Sequence, residues 1–268
     1  MQHMAGENIG LVICRLTMGG MWSHCFVSGH PADDSYISNK SKERAYLFPL
    51  NQARSDADTN EEPPDANGGD LGWTENFSAE FRSFIDSRYE HHYAPEEILG
   101  YVYAVLYSPT YRVRFAEFLR IDFPRVPFPE NSDDFETLST LGWALVQTHL
   151  LRESPGRGLA AYHGKGDHTV EAVRYSPEEE AIHISKTQRF EPVPQDVWDF
   201  HIGSYRVLDK YLKSRKGRTL SLDEIDHVGA VADALAFTIE QMEKIDVAYR
   251  AAFESVDKSE SALASRGH

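Results

Sequence analysis

The sequence predicts an α+β fold in which a mixed β-sheet region packs with a helical region. Three observations predict it: short apolar runs open the chain, residues 77–151 place apolar side chains at helical spacing, and alternating segments return over residues 169–191. We expect one mixed sheet, formed by the N-terminal strands and a hairpin within residues 169–191. This sheet should pack beside helices from residues 77–151 and 204–253.

The N-terminal segment, residues 1–50, is predicted to consist of strands. Residues 9–14, 23–27 and 45–48 are short apolar runs, each bounded by Gly, Pro, Asn or Asp, which is typical of strands. Residues 51–72 differ, since they carry six acidic side chains, one arginine and almost no large apolar residue. Such a segment buries too little surface to offset its ordering entropy, so we predict a mobile acidic loop.

Residues 73–256 are predicted to form a body of helices and a β-hairpin. Pro95 is placed for the first turn of one helix, and Pro109 ends that helix and begins another. Three prolines within residues 124–129 predict an extended connector before the next helix.

The second half of this body is predicted to form strands and then helices. Residues 169–175 and 181–185 alternate like the two strands of a hairpin, and residues 205–214 have the pattern of a helix that Gly217 ends. A capping box at residues 221–224 predicts a long helix that runs to about residue 253.

The C-terminal residues, 257–268, are predicted to be a disordered tail beyond that helix.

Length, charge and cysteine content exclude several classes of protein. With 268 residues and two cysteines, the chain can bury a sizeable core without a disulfide framework, and the cytoplasm is the expected compartment. No apolar run approaches the roughly 20 residues of a membrane helix, and the first residues lack the regions of a signal peptide. The net charge of −15 argues against electrostatic binding of nucleic acid over the whole surface. A polyanion would have to meet a local basic surface.

No catalytic or metal-binding motif accompanies this composition. The twelve histidines and two cysteines do not show a recognised zinc spacing. The sequence also lacks a nucleophile elbow, a phosphate-binding glycine loop and a dinucleotide fingerprint. We therefore predict no catalytic residue and no metal ligand in this chain.

A basic stretch at residues 206–218 is the first candidate for function. Its last nine residues contain five cations and no acid, and two tyrosines accompany them. Cations in such a patch contact phosphates, and tyrosines can pack on sugars or bases. The alternative is a solvated helix end whose cations interact favourably with the helix dipole. The candidate phosphate-contacting residues are Arg206, Lys210, Lys213, Arg215, Lys216 and Arg218.

A second polar and basic stretch lies at the end of a predicted strand. It contains Lys186, Gln188 and Arg189. Lysine, glutamine and arginine are side chains that read base edges, and arginine on guanine or glutamine on adenine can do so bidentately. The alternative is an exposed strand edge that is protected by charge.

Several unusual segments occur in an order that resembles one protein family. The segments are residues 95–109, 111–112, 115–119, 121–128, 170–175, 184–191, 197–205 and 210–218, followed by the final helix. Over about residues 8–250, the chain resembles the C-terminal specificity region of type ISP restriction–modification enzymes and of related fused adenine-specific DNA methyltransferases.

The resemblance implies a target recognition domain that docks on double-stranded DNA and reads a short asymmetric sequence. In such enzymes a separate methyltransferase domain flips the target adenine and methylates it from S-adenosylmethionine, and a helicase-like ATPase and a nuclease lie nearer the N terminus. This chain lacks the methyltransferase's glycine-rich cofactor motif and its Asn/Asp-Pro-Pro-aromatic tetrad. We therefore expect S-adenosylmethionine and ATP to belong to domains outside this chain, and the chain alone neither to methylate nor to cut DNA.

Other functions remain open at this point. The chain is expected to be a specificity subunit encoded separately, an isolated segment of a longer enzyme, or the remnant of a broken gene. A different class of function is a protein-interaction module that does not bind DNA, and a third is a small-molecule enzyme. The salt dependence of DNA binding separates the first two classes, and a deep polar pocket would favour the third.

Overall fold

The computed structural model describes residues 2–4, 8–17, 22–34, 43–53, 73–153, 155–203 and 205–264. It confirms the predicted α+β class, because helices and several small sheets alternate along the chain. The chain divides into two compact units. The first contains residues 1–143 and 247–268, and the second contains residues 144–246.

The first unit contains a three-stranded antiparallel sheet. Strand β1 (Gly10–Cys14) is central and pairs with β2 (Cys25–Ser28) on one side and β3 (Ala45–Pro49) on the other. β1 is buried over most of its length, which explains why its sequence is a continuous apolar run and does not alternate. A smaller antiparallel pair, β4 (Asn51–Ala53) with β5 (Trp73–Glu75), follows β3.

The first unit also contains helices. They are a short 3-10 helix (Gln2–Met4), α1 (Ala79–Tyr89), α2 (Pro95–Tyr107), α3 (Pro109–Arg114), α4 (Ala116–Leu119), the first part of α5 (Ser132–His149) and residues 247–264 of the last helix. As predicted, Pro95 occupies the first turn of α2, and Ser108 before Pro109 adopts an extended backbone that ends it. The Ser108 hydroxyl then accepts the Tyr111 amide at 3.2 Å and caps α3.

The proline-rich segment between α4 and α5 has no helix or strand over residues 123–129, as predicted. Its path is fixed by tyrosine hydroxyls that donate to main-chain carbonyls. The donors Tyr111, Tyr101 and Tyr89 bond the carbonyls of Arg125, Pro127 and Pro129, respectively. Because prolines offer no amide to a sheet, these side-chain bonds supply the partners that backbone pairing would otherwise supply.

The second unit contains a four-stranded antiparallel sheet. The strands β6 (Ala161–Gly164), β7 (Arg174–Ser176), β8 (Ala181–His183) and β9 (Gln188–Glu191) lie in the order β6-β9-β8-β7. The predicted turn between β7 and β8 is present at residues 177–180.

Short elements and one long helix complete the second unit. They are α6 (Gln195–Trp198), β10 (His201–Ile202), β11 (Tyr205–Arg206), α7 (Val207–Lys213) and α8 (Leu222–Ala264), of which residues 222–246 belong to this unit. The core of the unit joins the sheet to these helices. Its members with no exposed surface include Ile182, Phe190, Leu208, Leu212 and Val228.

The strands form separate small sheets in two units, and not the single mixed sheet that we expected. Every pairing described is antiparallel. The predicted strand at residues 169–175 is also shorter, because the amides of Glu171 and Ala172 both donate to the Ile184 carbonyl. Two successive donors on one acceptor interrupt a regular ladder, so β7 begins only at Arg174.

Other boundaries differ from the predictions. β6 was not predicted, and the helix expected from residue 205 begins at Val207, after β11. α8 continues through Ala264, past the residue 257 at which a disordered tail was predicted, and residues 254–264 contain no Gly or Pro that would end a helix. Residues 54–72 of the predicted acidic loop and the last four residues of the predicted tail lie outside the described residues.

The crossing of α2 and α5 requires glycine, which gives a test of packing. A Cβ atom at Gly142 would lie 1.9 Å from the Gly100 carbonyl oxygen and 2.7 Å from the Ala104 amide nitrogen. We expect Gly142→Ala to lower the free energy of unfolding by roughly 1–3 kcal/mol in urea denaturation, because the helices must separate. Thr140→Ala, at an exposed position of α5, is the control and should be neutral or slightly stabilising. Equal stabilisation by both substitutions would contradict this packing.

Candidate nucleic-acid interface

The basic stretch lies at the end of α7 and in the turn that follows it, within the second unit. α7 ends at Lys213, and residues 214–217 form turns that end at Gly217, whose φ of 81° is in the left-handed region. We call residues 213–218 the basic turn. Glycine adopts this conformation without the strain that a Cβ adds, so Gly217 lets the chain reverse towards the sheet.

Arg215 is less exposed than the other paired cations of the basic stretch, with 21% of its side chain exposed. Its guanidinium lies 3.5 Å from the centroid of the Tyr211 ring, and its Nη1 donates to the Tyr211 carbonyl at 3.0 Å. Its Nε donates to the Glu224 carboxylate at 2.8 Å. These contacts hold Arg215 against the protein and order the basic turn.

Glu224 connects the basic turn to the start of α8. Its carboxylate accepts the Ser221 amide at 3.1 Å, while the Ser221 hydroxyl accepts the Glu224 amide at 3.1 Å, which is the predicted capping box. The same carboxylate accepts from Arg215 at 2.8 Å and from Arg218 at 3.2 Å. The Ser221 amide, followed by the arginines, lowers the pKa of Glu224 below its usual value, so it is ionised at neutral pH.

The other cations of the basic stretch are exposed to solvent. Lys213 pairs with Asp209 at 2.8 Å, and Arg218 reaches Glu224, but 59% of each side chain remains exposed. Lys216 is exposed and has no ion-pair partner in the described part of the chain. These three cations are placed to meet an anion in solvent.

Two further cations lie before the basic turn and face aromatic rings. The Lys210 ammonium lies 4.8 Å from the centroid of the Tyr205 ring. Arg206 pairs with Asp199 at 2.9 Å and lies 5.8 Å from the Trp198 ring. Both residues are exposed at the surface of the second unit.

A short antiparallel backbone pairing joins the basic turn to residues 168–170, which connect β6 and β7 of the four-stranded sheet. The Val170 amide donates to the Arg218 carbonyl at 3.0 Å, and the Gly217 amide donates to the Val170 carbonyl at 2.8 Å. Thr169 and Thr219 form an isolated bridge, and their hydroxyls lie 3.0 Å apart. This pairing places the basic turn beside the segment that connects β6 and β7, and the sequence alone showed no relation between these two segments.

The second stretch, at the start of β9, has a mixed character. Lys186 is exposed and has no ion-pair partner among the described residues. Arg189 is half-exposed, and its Nε donates to the Glu191 carboxylate at 2.6 Å, which raises the pKa of Arg189 and lowers that of Glu191. Gln188 is buried, and both ends of its side-chain amide are hydrogen-bonded inside the protein. A direct base contact by Gln188 is therefore not supported, because it would break those bonds.

The contacts of some residues on this surface were not predicted from the sequence. Tyr211 and Glu224 were noted only as an accompanying tyrosine and a capping residue, yet together they order Arg215. The signal for such contacts would be the i, i+4 spacing of Tyr211 and Arg215 on a helix, which places the two side chains on one face. Lys165 lies between Gly164 and Gly166, in a segment without the spacing of a phosphate-binding loop, and it was not predicted as a contact.

Other surfaces of the protein show different chemistry. In the first unit, a groove of about 520 Å³ is lined by apolar side chains from β1, β3 and α2, and Asn76 is the one polar residue of its described lining. The described residues contain no cluster of His, Cys, Asp or Glu that could hold a metal ion. Across those same residues, none of the helices has both the length and the apolar character needed to cross a membrane.

A family model described as "Type ISP C-terminal specificity domain" matches residues 1–244. No curated protein sequence matches the chain.

Three solved structures have a similar fold. A nuclease-deletion mutant of the Type ISP restriction–modification enzyme LlaGI, in complex with a DNA substrate mimic, matches with a TM-score of 0.62 and 17% identity, over 90% of this chain and 21% of that one. The ATP-dependent Type ISP restriction–modification enzyme LlaBIII bound to DNA matches with a TM-score of 0.64 and 14% identity, over 90% of this chain and 16% of that one. A DrdV–DNA complex matches with a TM-score of 0.62 and 19% identity, over 91% and 24%. The chain thus spans about a fifth of the length of these similar structures.

The role of Glu224 in ordering the basic turn predicts a pH dependence. A carboxyl group whose pKa is lowered by folding stabilises the protein above its unfolded pKa, and this contribution is lost as the pH falls through the folded value. Glu224→Gln should therefore be less stable than the original chain at neutral pH, and the difference should shrink below about pH 4.5. Urea unfolding at several pH values measures it, with the exposed Glu243→Gln on the same helix as control. A stability difference that does not change with pH would be contrary to this role.

Proposed function

The chain belongs to the Type ISP C-terminal specificity domain family, and we propose that it recognises a short sequence in double-stranded DNA. One observation carries this proposal. In the second unit, residues 168–170, which connect β6 to β7, pair with residues 217–220 at the end of the basic turn, and exposed lysines on this unit, Lys186, Lys210 and Lys216, have no acidic partner among the described residues.

The distribution of ion pairs supports this surface as the one that meets DNA. An exposed cation that is already paired gains less from a phosphate, because an existing pair must be broken first. Lys186 and Lys216 have no ion-pair partner within the described ranges, and Lys213 and Arg218 are paired but well exposed. A local surface of this kind can bind a polyanion although the net charge of the chain is −15.

The proposed roles of the cations follow from their positions. Lys210, Lys213, Lys216, Arg218 and Arg206 contact phosphates and position the domain, because cations on a helix end and a turn carry no base-reading geometry. Arg215 supports them by ordering the basic turn. Lys186 and Arg189 lie nearer base edges, and the planar guanidinium of Arg189 can bond the O6 and N7 atoms of guanine.

The remaining activities of such an enzyme are proposed to lie outside this chain. We propose that a methyltransferase domain or subunit is the partner, and that S-adenosylmethionine and ATP bind to those other parts of the assembly. A specificity domain of this kind acts on DNA in the cytoplasm. On this proposal the chain alone neither methylates nor cuts DNA, and the other domains supply additional phosphate contacts.

Removing the exposed lysines of the basic turn tests the phosphate contacts. The double substitution Lys213→Ala and Lys216→Ala should weaken binding to every duplex. It should also reduce the slope of log K against log salt by about one unit for each lost phosphate contact. Competition binding at several salt concentrations measures both effects. Lys244→Ala, on the exposed side of α8, is the matched control and should leave the slope unchanged.

If the double variant binds all duplexes like the original chain, the basic turn is only a helix terminus. A chain that binds no duplex at any salt concentration would instead support the protein-interaction module.

Replacing Arg189 tests the proposed base contact. Arg189→Ala should cost roughly 1–3 kcal/mol on the preferred sequence and relax the preference at one base position, while binding to other duplexes changes little. Selection from a random duplex library by the original chain and by the variant measures the preference. Arg152→Ala, at an exposed position in the turn after α5, serves as the control. Identical preferences of the original chain and Arg189→Ala would refute the base contact.

A further inference from the structure

Two neighbouring loops leave the same end of the four-stranded sheet in the second unit. β6 and β9 pair with Gly164 opposite Gln188, so the residues that follow β6 lie beside those that precede β9. We call residues 164–168 the glycine loop and residues 184–187 the adjoining turn. Both expose side chains to solvent at this end of the sheet.

The side-chain amide of Gln188 bonds both loops. Its Oε1 accepts the Tyr162 hydroxyl at 2.6 Å and the His168 amide at 2.7 Å, at the two ends of the glycine loop. Its Nε2 lies 2.9 Å from the Ser185 hydroxyl oxygen and donates to it, in the adjoining turn. A single buried amide therefore fixes the path of both loops.

Close packing between the two loops adds to the hydrogen bonds of this amide. Gly164 has a φ of 120°, and a Cβ atom there would lie 1.9 Å from the Thr187 carbonyl oxygen. A Cβ atom at Gly166 would lie 2.4 Å from the Gln188 side chain. The Thr187 hydroxyl also donates to the Lys165 carbonyl at 2.8 Å. The loops can approach this closely only because the two positions are glycine.

The ordered loops present exposed cations. Lys165 and Lys186 lie at the tips of the glycine loop and the adjoining turn, and neither has an ion-pair partner in the ranges that the structure describes. The acidic residue of the glycine loop is Asp167, and its carboxylate accepts the Thr169 amide at 3.1 Å. The loop is also bonded to the chain just after the basic turn, because the Leu220 amide donates to the His168 carbonyl at 3.0 Å.

We propose that Lys165 contacts the DNA beside Lys186, and that Gln188 is a positioning residue that holds both lysines in place. This proposal rests on the proposed function and adds two residues to its interface. Loops that are already ordered lose less conformational entropy on binding, so the amide of Gln188 increases affinity without touching the ligand. The two lysines have no ion-pair partner among the described residues, which leaves them available to the phosphates or to guanine.

Substitution of Lys165 tests the contact directly. The original chain first selects its preferred duplex from a random library, and the affinities for that duplex and for a scrambled duplex are then measured. Lys165→Ala should weaken binding to the preferred duplex by at least about fivefold, which corresponds to about 1 kcal/mol. An equal loss on both duplexes with a lower salt slope indicates a phosphate, and a loss on the preferred duplex alone indicates a base. Both outcomes support the contact, whereas affinities within twofold of the original overturn it, with Lys244→Ala as control.

Substitution of Gln188 tests its positioning role. Gln188→Met has a similar volume but none of the three hydrogen bonds. We expect about tenfold weaker binding to the preferred duplex. The salt slope and the binding to the scrambled duplex should change in the same direction as in Lys165→Ala. Tyr162→Phe removes one of the bonds and should give a smaller loss. Faster hydrogen exchange of the His168 amide in a folded Gln188→Met chain would show that the loop has been released.

The outcomes distinguish a failure of the proposed function from a failure of the positioning role. If the original chain selects no duplex, the proposed function fails, and this inference fails with it. If the original chain selects a duplex but Gln188→Met does not show the same pattern of losses on the two duplexes as Lys165→Ala, Gln188 has a merely structural role. In that case the positioning role is overturned while the proposed function stands.

Discussion

The candidate surface depends on one short piece of backbone pairing, between residues 168–170 and residues 217–220. This pairing connects two segments that are far apart in the sequence, one leaving the sheet and one leaving α7. Main-chain hydrogen bonds do not depend on the identity of the side chains, so the arrangement is set by the chain path. Without it, the basic turn would be an ordinary helix end, and the loops beside β9 would have no basic neighbour.

Electrostatics explain how an acidic protein can carry such a surface. The chain has 42 acidic and 27 basic residues, yet its field at short range is set by whichever charges lie within a Debye length of about 8 Å. In the second unit, Asp199, Asp209, Glu191 and Glu224 each pair with a cation of the candidate surface. These pairs orient the side chains, and the remaining unpaired lysines supply the attraction. The overall negative charge then disfavours contact with DNA through other faces.

Local rules in the sequence accounted for the features that depend on neighbouring residues. The capping box at Ser221, the helix end at Gly217 and the break at Pro109 were predicted because each is a contact within one turn of chain. The burial of Gln188 was not predictable, since it depends on Tyr162 and His168, which β-sheet pairing brings close. A polar side chain at a strand end looks the same in sequence whether it faces solvent or fills a space between loops.

The α+β class was predictable from periodicity, but the division of the strands among separate sheets was not, because strand partners are chosen by long-range packing.

The way in which Gln188 holds the two loops also bears on how such a domain can change. Its amide bonds the main chain at His168 and the hydroxyls of Tyr162 and Ser185, and it leaves the tips at residues 165 and 186 uninvolved. The side chains at those tips can therefore be exchanged by single mutations while the scaffold beneath them keeps its shape and stability. A lineage carrying this arrangement can explore new binding preferences one residue at a time, because each intermediate remains a folded protein.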